Sequence, residues 1–174
     1  MSSQIVSLQA IICYIGNCMR PVLFVLVFFL RGGIALAQDA HSDEHRALML
    51  TPDQVTWLPA SPRIPRGAKM SVLEGDPRKA GPFTMRVSFP DGYRIGPHFH
   101  PVAEQVTVLQ GTYRWGVGDK FDAAALKSLP AGSFGVMPRG THHFVEVNGP
   151  TVTQVSGMGP WKVTYVNPAD DPEN

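Results

Sequence analysis

The sequence has 174 residues, of which 44% are hydrophobic, and a formal net charge of +1. The hydrophobic content excludes a disordered chain, and the near-neutral charge argues against a nucleic-acid-binding protein, which would carry a basic stripe. The length predicts one domain, and the 17 glycines and 16 prolines favour many turns between short strands, as in an all-β fold.

The first 37 residues have the pattern of a secretory signal peptide. They contain no acidic residue, and Arg20 precedes an apolar run over residues 21–30. Residues 35–37, Ala-Leu-Ala, then form a small-x-small cleavage pattern. The apolar run is too short to span a bilayer, which needs about 20 residues. We therefore predict a signal peptide over residues 1–37.

Cleavage after residue 37 predicts a periplasmic or secreted protein with no membrane attachment. Both cysteines, Cys13 and Cys18, would leave with the signal peptide, so the mature chain would have neither disulfides nor thiol chemistry. Translation could start at Met1 or at Met19, since the segment from Met19 onward is a complete signal peptide. The alternative is an uncleaved anchor that also uses residues 11–15.

The mature chain divides into a polar leader and one β domain. Residues 38–53 are predicted to be a flexible N-terminal segment. Within them, His41 and His45 have a metal-pair spacing on a helix, but a solvated leader is the simpler interpretation. Residues 54–174 are predicted to form a single domain.

Short segments separated by turn residues predict about ten strands in this domain. Residues 83–89 show the clearest period of two, with Phe83, Met85, Val87 and Phe89 on one face. A single short helical stretch is expected at residues 122–126. The predicted strands cover residues 55–58, 68–73, 83–89, 93–100, 104–110, 112–117, 134–137, 142–147, 152–156 and 162–166. This pattern indicates a sandwich or a closed barrel.

Three histidines and one glutamate are the candidate metal ligands. His98 and His100 are two apart on a predicted strand, so both side chains leave the same face, about 7 Å apart along the chain. Glu104 opens the next strand and can turn its carboxylate to the same ion, and His143 completes the set. Three imidazoles and one carboxylate suit one divalent ion of Fe, Mn, Cu, Ni or Zn. An octahedral ion held by four such ligands keeps two open positions.

Two sequence segments resemble the two motifs of the cupin superfamily. Residues 92–111 match Gly, five residues, His-x-His, three residues, Glu, six residues, Gly. Residues 132–143 match Gly, five residues, Pro-x-Gly, two residues, His. The second motif usually ends with Asn four residues after its histidine, where this chain has Val147. The motif spacing selects His143 over its neighbour His142, since strand alternation sends the two to opposite faces.

The resemblance implies a cupin double-stranded β-helix, a jelly-roll barrel, with the metal inside it. The implied ligands are His98, His100, Glu104 and His143. The residues before Phe83 would add strands that cover the barrel or pair with a second subunit, and a homodimer is expected. Similarity extends to small exported single-domain cupins and to the cupin half of anti-sigma factors of the ChrR type.

The cupin fold hosts many functions, so three interpretations stay open. The first is a metal-dependent oxygenase or related oxidoreductase acting on a small organic molecule. The second is a non-enzymatic metal- or ligand-binding or sensing module of the cell envelope. The third, a metal-free isomerase or epimerase, is disfavoured by the four intact ligands.

Candidate pocket residues can be named, but no catalytic residue. Arg94 or Arg139 could pair with a substrate carboxylate. Glu146 should point away from His143 because their offset along the strand is odd. Tyr113 and His142 are the other acid–base groups within reach. The candidate aromatic and sulfur-containing pocket walls are Phe99, Tyr113, Trp115, Met137 and Phe144.

Overall fold

Nine strands make up most of the fold in the computed structural model, which describes residues 47–174. The predicted signal peptide and residues 38–46 of the predicted leader lie outside the described residues. The strands are β1 (Leu58–Pro59), β2 (Lys69–Glu74), β3 (Gly81–Phe89), β4 (Arg94–Phe99), β5 (Glu104–Val117), β6 (Lys127–Pro130), β7 (Phe134–Met137), β8 (His143–Gly159) and β9 (Thr164–Tyr165). Among these residues, no helix is long and apolar enough to cross a membrane.

The longest strand, β8, connects the two halves of the sheet. One path of antiparallel pairs runs β1-β2-β3-β8-β4-β9, and β5 pairs with β8 as well as with β6 and β7. Because β8 pairs with β4 at its start and with β3 at its end, the sheet curls around an interior. This is the all-β cupin fold that the sequence predicts.

The interior is filled by the alternate residues of the paired strands. The face of β3 predicted to be buried is buried throughout. It packs with inward residues of β5 and β8 in one hydrophobic core, whose members include Phe83, Met85, Val87, Phe89, Val106, Val108, Val145, Val147 and Val155. Val147, which replaces the asparagine usual in the motif, is therefore a core residue.

Two pairs of predicted strands are continuous in the structure. Residues 104–117 form one strand because a bulge near Gly111 bends β5 without ending it. Gly111 has a φ of +76°, and a Cβ there would lie 2.5 Å from the Pro150 carbonyl oxygen of β8. Residues 143–147 and 152–156 likewise belong to one strand, β8, which begins at His143. These two mergers, together with the additional strand β6, give nine strands where the sequence suggested about ten.

The other differences concern short segments. The strand predicted at 55–58 is reduced to β1, and the strand predicted at 162–166 is reduced to β9. The strand β6 was missed, because its Lys-Ser-Leu-Pro sequence has no alternation and ends in proline. The predicted helical stretch is a single 3-10 turn, Ala123–Ala125, capped by the Asp122 carboxylate, which accepts a hydrogen bond from the Ala124 N–H at 2.8 Å.

Candidate metal centre

The four predicted ligand residues lie together because each stands at or next to the end of a strand. His98 is near the end of β4, His100 follows that strand, and Glu104 and His143 are the first residues of β5 and β8. His98 is paired in register with His143 across β4 and β8. The ligand nitrogens of the three histidines lie within 4.8 Å of one another, and all four side chains are buried.

A tight turn before β8 delivers His143. The Thr141 N–H donates to the Pro138 carbonyl at 3.1 Å, and the Gly140 N–H donates to the His100 carbonyl at 2.9 Å. Gly140 has a φ of +71°, a conformation that glycine adopts without the steric cost of a Cβ. The turn of the second motif is therefore hydrogen-bonded directly to the His-x-His segment of the first.

Each imidazole is oriented by a backbone carbonyl. The Nδ1 atoms of His98, His100 and His143 lie 2.8, 2.8 and 2.9 Å from the carbonyl oxygens of Gly96, Lys162 and Thr141. A carbonyl only accepts, so each Nδ1 carries the hydrogen, and in the neutral imidazole Nε2 then keeps its lone pair. This is the arrangement by which proteins fix the tautomer of a metal-binding histidine.

The Nε2 atoms of His100 and His143 are buried without a hydrogen-bond partner. A buried polar atom without a partner costs about 1–3 kcal/mol, so native proteins seldom keep one without a purpose. A metal ion would satisfy both atoms, and the buried three-histidine group could hold one. The residues present therefore fit a divalent metal.

Glu104 brings a carboxylate to the same point. Its oxygens lie 3.5 Å from His100 Nε2 and 3.7 Å from His143 Nε2. Burial opposes ionisation of this carboxyl, but the neighbouring histidines, His100 above all, lower its pKa below the ordinary value. Glu104 is thus available as an anionic oxygen donor beside three nitrogens.

Two of the three histidines, His98 and His143, are held in the neutral form that a metal requires. Burial, together with the neighbouring His143 and His100, lowers the pKa of His98 to about 3. Burial also lowers the pKa of His143. At His100 burial acts in the same direction, but the Glu104 carboxylate and the Lys162 carbonyl outweigh it and raise the pKa. A proton on His100 Nε2 would have to leave before a metal could bind there.

Sequence reasoning missed Trp161, the aromatic residue stacked against the site. Its ring lies 4.5 Å from the His100 ring at an interplanar angle of 23°. Tyr165 was also missed; its ring lies 6.1 Å from that of His98. Both residues follow the second motif. The only sequence signal for them is that Tyr165 lies in the predicted strand 162–166 and that Trp161 directly precedes it.

Three of the predicted pocket walls are buried on the interior side. Tyr113 lines a small cavity of about 40 Å³ beside the histidines, and Trp115 packs edge-on to His143 at 5.8 Å. Met137 belongs to the core. Burial, aided by the Glu104 charge, raises the pKa of Tyr113 well above its ordinary value, so its hydroxyl stays protonated.

Phe144 and Phe99 lie outside this interior, which corrects their assignment as pocket walls. Phe144 alternates with His143 and packs instead against Phe121, with ring centroids 5.1 Å apart. Phe99 alternates with His98 and lies 5.0 Å from the ring of His142.

Arg94 is likewise not at the site. Arg94 forms a salt bridge with Glu146, and the Arg94 guanidinium lies 4.9 Å from the Phe121 ring centroid. Glu146 also forms a salt bridge with Arg114. Glu146 points away from His143, as its odd offset predicts. Arg139 is exposed and lines a separate surface groove.

His142 points away from the metal site. Its Nδ1 lies 2.6 Å from an Asp119 carboxylate oxygen, and its side chain is half-buried. The selection of the inward-facing histidine by motif spacing thus agrees with the structure, although metal ligation itself stays a prediction.

Comparison with known proteins confirms the fold. The model of a domain of unknown function, DUF4437, matches residues 48–167. No curated protein matches the sequence significantly. Among solved structures, the polyketide cyclase RemF from Streptomyces resistomycificus is similar over 73% of this chain and 90% of its own, with 19% identity and a TM-score of 0.60.

Two further structures agree. A candidate acetylacetone dioxygenase from Methylibium petroleiphilum PM1 is 22% identical over 73% of this chain and 85% of its own, with a TM-score of 0.56. KdgF from Halomonas sp. is 17% identical over 66% of this chain and 96% of its own, with a TM-score of 0.50. At these identities the likeness shows the cupin fold alone.

Proposed function

The chain belongs to the DUF4437 family of cupin-like domains, and we propose that it is a metal-dependent oxygenase or related oxidoreductase acting on a small organic molecule. The observation that carries the proposal is the buried group of three imidazoles with Nε2 atoms that have no partner beside the Glu104 carboxylate. We propose His98, His100, Glu104 and His143 as the ligands of one divalent ion.

The residues of the chain hold and shield this site. A divalent metal would supply a Lewis acid there and, if it is redox-active, electron transfer to dioxygen. The three carbonyls orient the imidazoles, and the apolar side chains of Met85, Val87 and Val155 line the adjoining cavity. Such a shell limits water access and tunes the metal. The nitrogen-rich donor set suits Fe, Mn, Cu, Ni or Zn.

A non-enzymatic binding or sensing function is the second candidate. Among the described residues, Tyr113 is the only titratable residue other than the proposed ligands that lines the small cavity beside the histidines. Its raised pKa lets it donate a hydrogen bond but makes it a poor base near neutral pH. The cavity, of about 40 Å³, has room for only a few water molecules. Both features suit a site that retains a metal without turnover.

Elemental analysis of the protein, purified without an affinity tag or chelator, tests metal binding. We expect about one equivalent of a divalent transition metal per chain, and none in the His98→Ala, His100→Ala double variant. Oxygen uptake with a panel of small organic acids, diketones and phenols then separates the candidates. Metal-dependent uptake supports the oxygenase, and a loaded protein without uptake supports the binding module. If the unsubstituted protein takes up none of the five ions, Fe, Mn, Cu, Ni or Zn, when each is added, both candidate functions are contradicted.

Export and dimerisation remain part of the proposal. The signal-peptide pattern supports cleavage after residue 37, and the cupin resemblance supports a homodimer. The intact mass of protein recovered from the periplasm or medium should match a chain that begins at residue 38, and sedimentation velocity should give twice the mass of that chain. Retention of residues 1–37 in a membrane fraction would instead indicate the uncleaved anchor.

A further inference from the structure

A second, larger cavity adjoins the small cavity at Trp161 and Val163. This outer groove has a volume of about 580 Å³, within the range of small-molecule sites. Its surface is mainly apolar, and its lining residues include Arg63, Val72, Asp76, Arg78, Trp161 and Lys162. Trp161 and Val163 line both this groove and the small cavity beside the histidines.

Trp161 lines both cavities. One face of its indole is stacked on His100, and its backbone N–H donates to the Pro77 carbonyl at the rim of the groove, at 2.6 Å. The indole Nε1 is buried without a hydrogen-bond partner. An aromatic ring held in this way offers the groove a flat surface on which a planar ligand can stack.

The positive charges at the groove are unequally compensated. Arg63 is paired with Asp171 and Glu173 at 2.9 and 3.0 Å, and Arg78 is paired with Asp76 at 3.0 Å. Within residues 47–174, no carboxylate lies within 4 Å of the Lys162 ammonium. Lys162, which lines the groove, therefore carries the positive charge that a bound anion could neutralise.

Lys162 also connects the groove to the histidines. Its carbonyl oxygen accepts the hydrogen bond that orients His100, while the residue itself lines the groove. A ligand held by Lys162 and Trp161 would thus lie against the two residues that contact His100 from outside.

We propose that the outer groove binds a small carboxylate with a flat apolar body, which stacks on Trp161 and pairs its carboxylate with Lys162. Binding in the groove does not depend on the proposed function of the metal site, because neither Trp161 nor Lys162 is among the proposed metal side-chain ligands.

Two-dimensional ¹H–¹⁵N NMR of the metal-free protein tests this binding. The chain has three tryptophans, and a Trp161→Phe variant identifies the indole signal of Trp161. Titration with 2-naphthoate should shift that signal with a saturating dependence, and the uncharged 2-naphthamide should bind about fivefold more weakly. The proposal is overturned if the two probes bind equally, if neither shifts the Trp161 signal, or if only the Trp115 signal moves.

Surface variants locate the binding. Lys162→Met should weaken 2-naphthoate about fivefold and leave 2-naphthamide unchanged, whereas Lys162→Arg should keep naphthoate binding. Val72→Asp, at a wall residue that is 43% exposed, should weaken naphthoate at least about tenfold. Val136→Asp is the matched control, since Val136 is 50% exposed in a different groove. Equal effects of the two aspartate variants would overturn the proposal.

These measurements are independent of the metal. If the protein takes up no ion but naphthoate binds as described, the proposed oxidoreductase function fails and the groove assignment stands. If the protein binds metal but not naphthoate, the groove assignment fails and the proposed metal site stands.

Discussion

Replacing His143 by alanine is expected to abolish tight metal binding, whereas replacing the adjacent His142 is expected to leave it intact. His143 is buried, its Nδ1 is held by the Thr141 carbonyl, and its Nε2 faces Glu104 without a hydrogen-bond partner. His142 lies on the opposite face and is paired with Asp119. Loss of an outer-shell partner costs 10–100-fold in metal affinity, so loss of a ligand should cost at least about a hundredfold.

Isothermal titration of the metal-free proteins with Zn²⁺ or Ni²⁺ measures this difference. Because His143 is fully buried, circular dichroism should first show that the His143→Ala variant still unfolds cooperatively. Glu104→Gln, which preserves side-chain volume, gives a second comparison and should also weaken binding, by about tenfold or more. If His142→Ala and His143→Ala bind metal equally well, the four-residue centre is wrong.

The convergence of the four side chains could be predicted because it depends on local rules. Strand alternation places His98 and His100 on one face, and the glycine and proline spacing of the second motif describes the turn that delivers His143. The inward face of β3 was predictable for the same reason, since a period of two is a property of neighbouring residues.

The contacts between distant segments could not be predicted. The stacking of Trp161 on His100 depends on a connection between β8 and β9 that carries no motif. Arg94 is drawn to Glu146 because β4 and β8 pair with Arg94 opposite Glu146, a register that no local pattern encodes. The single strand β5 appeared as two because Gly111 is typical of a turn, whereas here it allows a bulge against β8.

Phe144→Ala is expected to lower stability strongly without changing the metal stoichiometry. Phe144 has no exposed surface, and its ring packs against Phe121 over Gly116, where a Cβ would overlap it. Truncation of a buried phenylalanine costs about 3–5 kcal/mol, which for a domain of this size lowers Tm by about 10–20 °C. Differential scanning calorimetry measures the loss, and Phe144→Leu should lose less because it retains more volume.

Phe134→Ala is the matched control, because Phe134 is 60% exposed on β7 and its truncation should change stability by less than about 1 kcal/mol. Phe144 alternates with His143, so it packs against Phe121 on the side of β8 that faces away from the proposed metal site. A Phe144→Ala protein that unfolds at the parental temperature but binds metal or naphthoate differently would place Phe144 in the pocket wall after all. A large loss of stability with unchanged binding would establish that the two faces of β8 have separate tasks, one in packing and one in the site.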